Sequence, residues 1–129
     1  SVPNWLDETG EKELGTARWD KEIHALNNTP RVVLRVNTLK TTRDDLREVL
    51  AEKGIKTEVH DTLPDAVVLN TWYNVFTLPQ FKEGWFEVQD AASQYIAPFL
   101  QAQPGMRVID ACAGAGGKTL HLAALLKNK

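Results

Sequence analysis

The chain has 129 residues, 43% of them apolar, and a formal net charge of −2, which suits one compact domain, so these residues by themselves are not expected to form a large multidomain enzyme. Its single cysteine, Cys112, excludes an internal disulfide and any four-cysteine zinc or iron–sulfur centre, and His24, His60 and His121 lack ligand spacing, so no metal is expected. No apolar run nears the roughly 20 residues that span a bilayer, and Ser1-Val2-Pro3-Asn4 resembles no secretion leader, so a soluble cytoplasmic protein is expected.

Residues 4–27 carry spaced apolar positions (Trp5, Leu6, Leu14, Trp19, Ile23, Leu26) interrupted by Gly10 and Gly15, which predicts one or two short helices, the better one over 16–27. Asn27-Asn28-Thr29-Pro30 is a turn signal, and the β-branched run 31–37 that follows is a strand. The period then changes. Leu46, Val49 and Leu50 share one helical face, Thr41 and Asp44 stand as a cap at its start, and Gly54 sits where a terminating glycine belongs. Further strands are expected over 55–60, 66–70 and 85–89, and the aromatics Trp72, Tyr73, Phe76, Phe81, Trp85 and Phe86 read as core and loop packing. A helix over 90–97, started by Asp90 and ended by Pro98, precedes a turn at Pro104-Gly105. A short apolar strand, 106–110, a small-residue loop, 111–117, and an apolar helix, 118–127, complete the chain.

The strand, helix, strand, strand, strand order over 31–89 points to a ferredoxin-like or RNA-recognition-motif-like α+β unit. The 31–37 strand lacks the aromatic residues on which such motifs stack bases. Charge is distributed unevenly: residues 30–60 carry seven Lys/Arg against five Asp/Glu, whereas 1–29 carry three against six. The basic surplus, with Arg31, Arg35, Lys40, Arg43 and Arg47, reads first as solvated surface and second as a phosphate-facing patch.

The stretch Val108-Ile109-Asp110-Ala111-Cys112-Ala113-Gly114-Ala115-Gly116-Gly117-Lys118-Thr119 carries the chemistry. Small side chains let a backbone approach a ligand closely, and the helix that follows offers free N–H groups and positive dipole character. Three readings stand. A Walker A loop would end correctly in Gly117-Lys118-Thr119, but Cys112 replaces its first glycine. A dinucleotide fingerprint would need a glycine where Thr119 stands. The third reading is the Asp-x-Gly-x-Gly loop of S-adenosylmethionine enzymes, with Cys112 in place of the first glycine.

The run Asp110-x-Cys112-Ala113-x-x-Gly116-Gly117-Lys118-Thr119 resembles the cofactor motif of the RsmB/NOP family of RNA cytosine-5 methyltransferases. Three upstream segments agree in order and spacing: Pro3-Asn4-Trp5-Leu6, the run from Leu34 to Thr42, and the run from Gly84 to Gln94. The resemblance thus covers essentially the whole chain. Gly114-Ala115 departs from the Ala-Pro of many members, a change between small residues that leaves the loop usable.

The resemblance implies an RNA-binding α+β domain fused to a Rossmann-like methyltransferase domain. It assigns residues 1–29 to an N-terminal helical segment, 30–89 to the RNA-binding unit, and 90–129 to a linking helix and the opening strand, loop and helix of the S-adenosylmethionine domain. In the implied reaction a cysteine thiolate adds to cytosine C6, because C5 is too weak a nucleophile until that addition makes it enamine-like. A second cysteine then assists release by removing the C5 proton. Both cysteines lie downstream of the loop in the family, so this chain is expected to hold no catalytic residue and to be inactive alone.

The residues expected at the cofactor are Cys112, Ala113, Gly114, Ala115, Gly116, Gly117 and Lys118, with Thr119 as a cap and Gln89, Asp90 and Ser93 at the pocket wall. Arg35, Lys40 and Arg43 are the expected RNA-backbone contacts. The partner is ribosomal RNA, and the protein is expected to be a monomer without membrane or metal. Two competing readings remain: a stand-alone RNA-binding or assembly module with a vestigial cofactor loop, and a nucleotide-binding fragment. Because a parallel sheet needs several βα units, the strand, loop and helix over 106–127 are expected to be less ordered than 31–60 unless the α+β unit covers them.

Overall fold

The computed structural model describes residues 2–129, which form two compact units divided between Pro30 and Arg31. The first is a helical hairpin of α1 (Asn4–Leu14) and α2 (Thr16–Leu26), joined at Gly15, whose φ of 77° suits glycine. Gly10 does not interrupt α1, contrary to its reading as a breaker. It is buried under Trp19, and a Cβ there would lie 2.3 Å from the indole ring. The Trp19 Nε1–H donates to Asp7 Oδ1 at 2.6 Å, which fixes the ring across α1.

In the second unit the strands are β1 (Val33–Val36), β2 (Thr57–Val59), β3 (Ala66–Leu69) and β4 (Phe86–Val88), with α3 (Arg43–Glu52) between β1 and β2. The sheet order is β2-β3-β1-β4 with every pair antiparallel, and Leu34 lies opposite both Val67 and Val88. This is the ferredoxin-like order. Where a second long helix would stand, the chain has only a 3-10 turn at Val75–Thr77 and the single-turn α4 (Pro79–Lys82).

One face of the sheet presents Leu34, Val36, Val67, Leu69 and Phe86 to Leu46 and Leu50 of α3, closing the main core with Ile55, Val75 and Leu78. The start of α3 lies one residue later than its sequence suggested. Thr42 rather than Thr41 is the cap, accepting from the Asp45 N–H at 3.2 Å and donating to the Asp45 carboxylate at 2.7 Å. The end is as expected: Gly54 at φ 75° donates to Ala51 O, and the Ile55 N–H reaches Leu50 O.

Strands β1 and β3 are buried along their whole length, so the opposite face of the sheet is covered too. There Val33, Ala66 and Val68 pack with Leu63 and Ala91. Ala91 opens the C-terminal segment of α5 (Ala91–Gln94), α6 (Ile96–Phe99) and α7 (Gly117–Leu125), in which Gln94, Ala97, His121 and Leu122 are buried. Helix α7 itself packs on α6 and α5, with His121 and Leu122 buried and Leu120 exposed. An RNA-recognition motif uses the corresponding sheet face to stack bases; here its central positions, Val33, Arg35, Ala66 and Val68, are buried.

Three expectations change. The 90–97 helix divides at Tyr95, and Pro98 sits inside α6, in a first turn where its missing N–H costs nothing. Residues 106–110 form no β-ladder, since no strand of the described residues runs alongside them, and Ile109 is 91% exposed. Of the aromatics, Phe86, Phe81 and Trp85 join the core, whereas Trp72, Tyr73 and Phe76 are exposed on the 70–77 connection.

Candidate cofactor loop and its tether to the sheet

The loop is closed by one side chain. Asp110 Oδ1 accepts from the Cys112 N–H at 3.2 Å, while Oδ2 accepts from the Thr119 hydroxyl at 2.7 Å, so the carboxylate joins both ends of the turn. Gly114 (φ 55°) and Gly116 (φ 85°) adopt left-handed conformations that side chains with a Cβ rarely take. Gly116, not Thr119, caps α7, and its N–H donates to Ala113 O at 2.8 Å. The N–H groups of the first α7 turn lack intrahelical acceptors, as at any helix start.

Cys112, Ala113, Gly114 and Ala115 are exposed, and Cys112 carries a free thiol. With Asp110 and Lys118 it lines a groove of about 280 Å³ whose apolar wall is Ile96, Ala97, Leu100, Val108 and Ile109. The groove places an apolar wall beside a carboxylate, an ammonium and exposed backbone, a donor set that fits part of a zwitterionic nucleoside such as S-adenosylmethionine. Cys112 is thus a groove residue rather than a buried packing residue. No group of three or more His, Cys, Asp or Glu able to hold a metal occurs among the described residues.

The expected wall residues divide. Asp90 accepts from the Ser93 N–H at 3.3 Å, so these two cap α5. Gln89 is buried, its amide lying 3.6 Å from where a Cβ on Gly117 would stand. The backbone N–H of Gln89 donates to Val33 O, and its carbonyl accepts from Gln94 Nε2 at 2.9 Å.

Arg35 overturns its sequence reading. It is 3% exposed, and its Nη1 donates to Gln89 Oε1 and, at 2.7 Å, to the carbonyl oxygen of Gly117. A side chain so enclosed does not meet an RNA backbone. Burial pulls the Arg35 pKa down, against the opposing fields of Glu87 and Asp65. His121, one turn beyond Gly117, is pushed down to about 4 by burial and then by Arg35, and its Nδ1 has no hydrogen-bond partner. Asp65 is raised by burial, which Arg43 and Arg35 oppose. Sequence reasoning missed His121 and Asp65; both flank a cavity of about 250 Å³ formed with Gln94, Tyr95 and Pro98. Lys40 remains exposed and donates to Glu83 O, and Arg43 is half-buried, so the three expected RNA contacts do not share one surface.

The antiparallel ferredoxin-like sheet, with a glycine loop and helix α7 tied to it through Arg35, defines the class by fold as a ferredoxin-like α+β unit carrying a glycine-loop–helix segment. A family model described as the RsmF/B-like methyltransferase, ferredoxin-like domain, matches residues 2–76. The chain belongs to this RsmF/B-like methyltransferase family. It is 39% identical over 127 residues to a probable ribosomal RNA small subunit methyltransferase B of Synechocystis sp., covering 98% of this chain and 28% of that protein. It is 42% identical over 120 residues to the ribosomal RNA small subunit methyltransferase B of Salmonella paratyphi B, covering 93% and 28%. The crystal structure of PH0851 superposes with a TM-score of 0.86 at 34% identity, over 99% of this chain and 29% of that one. The chain thus spans under a third of these relatives.

Proposed function

We propose that the chain is the RNA-facing region and opening cofactor unit of an S-adenosylmethionine-dependent RNA cytosine-5 methyltransferase that acts on small-subunit ribosomal RNA in the cytoplasm. The carrying observation is the loop closed by Asp110 across Cys112 and Thr119, with left-handed Gly114 and Gly116 before α7. The names of the relatives support the ribosomal substrate. Thr119 argues against the nucleotide reading, because its hydroxyl, which a Walker A loop would turn to magnesium, is spent on Asp110.

S-adenosylmethionine, when bound, supplies the methyl group. In this chain, the backbone N–H groups of residues 113–115 and 117 and the ammonium of Lys118 would hold its carboxylate and ribose, with Ile96, Leu100 and Val108 as the apolar wall beside it. Lys40 and Arg43 are the remaining candidates for RNA phosphates. No residue here serves as nucleophile: Cys112 lies in the cofactor groove, and the C6 addition belongs to cysteines outside residues 1–129.

Bisulfite mapping of small-subunit ribosomal RNA tests the proposal. Deleting the gene that carries this chain removes one 5-methylcytosine; an unchanged methylation map overturns the assignment.

A further inference from the structure

We propose that Arg35 is a positioning residue that holds the glycine loop from the sheet, an inference resting on the reading of that loop as the methyl-donor site. Arg35 lies on the second face of β1, opposite Glu87 and Ala66 in the sheet register. Its guanidinium has no carboxylate within ion-pair distance among the described residues, and it uses Nη1 on two neutral oxygens, Gln89 Oε1 and Gly117 O. Burying a charge against neutral acceptors is costly, and a hydrocarbon of equal length would fill the same space. What the hydrocarbon cannot do is grip a backbone carbonyl. Gly117 is the first residue of α7 and directly follows left-handed Gly116, so holding its carbonyl sets where the loop ends and α7 begins.

The other acceptor is itself held. Gln89 is fixed by Val33 O on one side and by Gln94 Nε2 on the other, so Arg35 is aimed from two directions. His121, on the same face of α7 one turn on, is buried and feels the Arg35 charge. Sheet and loop meet at this polar joint. The loop's geometry is therefore determined by a residue of the α+β unit that does not touch the cofactor.

The test compares Arg35→Met and Arg35→Lys with the unaltered chain, using amide hydrogen exchange and S-adenosylhomocysteine titration followed by NMR. Met is expected to raise exchange at Leu120 and His121 about tenfold and weaken ligand binding by a similar factor, while Leu34 and Val67 keep their protection. Lys, which can still donate to both oxygens, recovers most of each effect. Unchanged exchange at α7 in the Met variant overturns the proposal, as does an equal rise through the sheet, which would make Arg35 a general stabiliser. Should Met fail to fold, Lys carries the test: it must keep sheet and α7 protection together, and selective loss at the sheet overturns the proposal. If the unaltered chain does not bind S-adenosylhomocysteine, the methyl-donor reading fails, and exchange alone decides the tether.

Discussion

Gln89 accepts the Arg35 guanidinium with Oε1 while its own carbonyl accepts from Gln94, so one buried amide residue links β1 to α5. Gln89→Ala removes one of the two oxygens that satisfy a buried cation. Hydrogen bonds to charged groups are worth about 1.5–3 kcal/mol, so urea unfolding should show a loss of about 2 kcal/mol.

Acidification should loosen α7 through His121. Its folded pKa, about 4, lies below the ordinary value of 6.5, so the unfolded chain binds the extra proton. The stability this neutral histidine contributes is full above pH 6.5 and is lost as the pH falls toward 4, at about 1 kcal/mol per pH unit. Asp65 works in the opposite sense at the acid end, since its raised folded pKa makes the fold gain relative stability once it protonates. His121→Leu should abolish the decline between pH 6.5 and 4.5 in thermal melts. A decline that persists in that variant would assign it elsewhere.

Gly10→Ala tests the hairpin. Alanine favours helix by up to about 1 kcal/mol over glycine, but a Cβ 2.3 Å from the Trp19 ring forces the indole away. Overpacking of this kind costs about 1–3 kcal/mol, so the substitution is net destabilising. The Trp19 indole N–H resonance should also shift as its bond to Asp7 breaks.

Asp110→Ala should free both ends of the loop with little effect on the sheet. The expected outcome is a melting temperature near that of the unaltered chain and S-adenosylhomocysteine binding weakened about tenfold, the value of a charge-assisted bond. Asp110→Asn retains one acceptor oxygen and should fall between the two.

Most of the fold was legible locally. The runs around Val33–Val36 and Ala66–Leu69 are β-branched and too short for helices, and the α3 face shows in Leu46, Val49 and Leu50. Thr41 and Thr42 are equally good caps by type, so only the backbone turn at Thr42 decides between them. The missed features are those set by distant partners. Arg35 reads as surface because its charge suggests solvent, yet its acceptors stand 54 and 82 residues away. Gly10 reads as a breaker because the ring that needs the space belongs to the next helix. Residues 106–110 read as a strand because the apolar pattern is local, whereas a ladder requires a neighbour.

The loop's ligand is the central claim, and an NMR titration of this chain to millimolar ligand tests it most directly. S-adenosylhomocysteine should shift the amide signals of Cys112, Gly114, Gly116 and Lys118, while ATP with magnesium leaves them in place. Shifts at these residues with ATP and magnesium, and none with S-adenosylhomocysteine, would contradict the account.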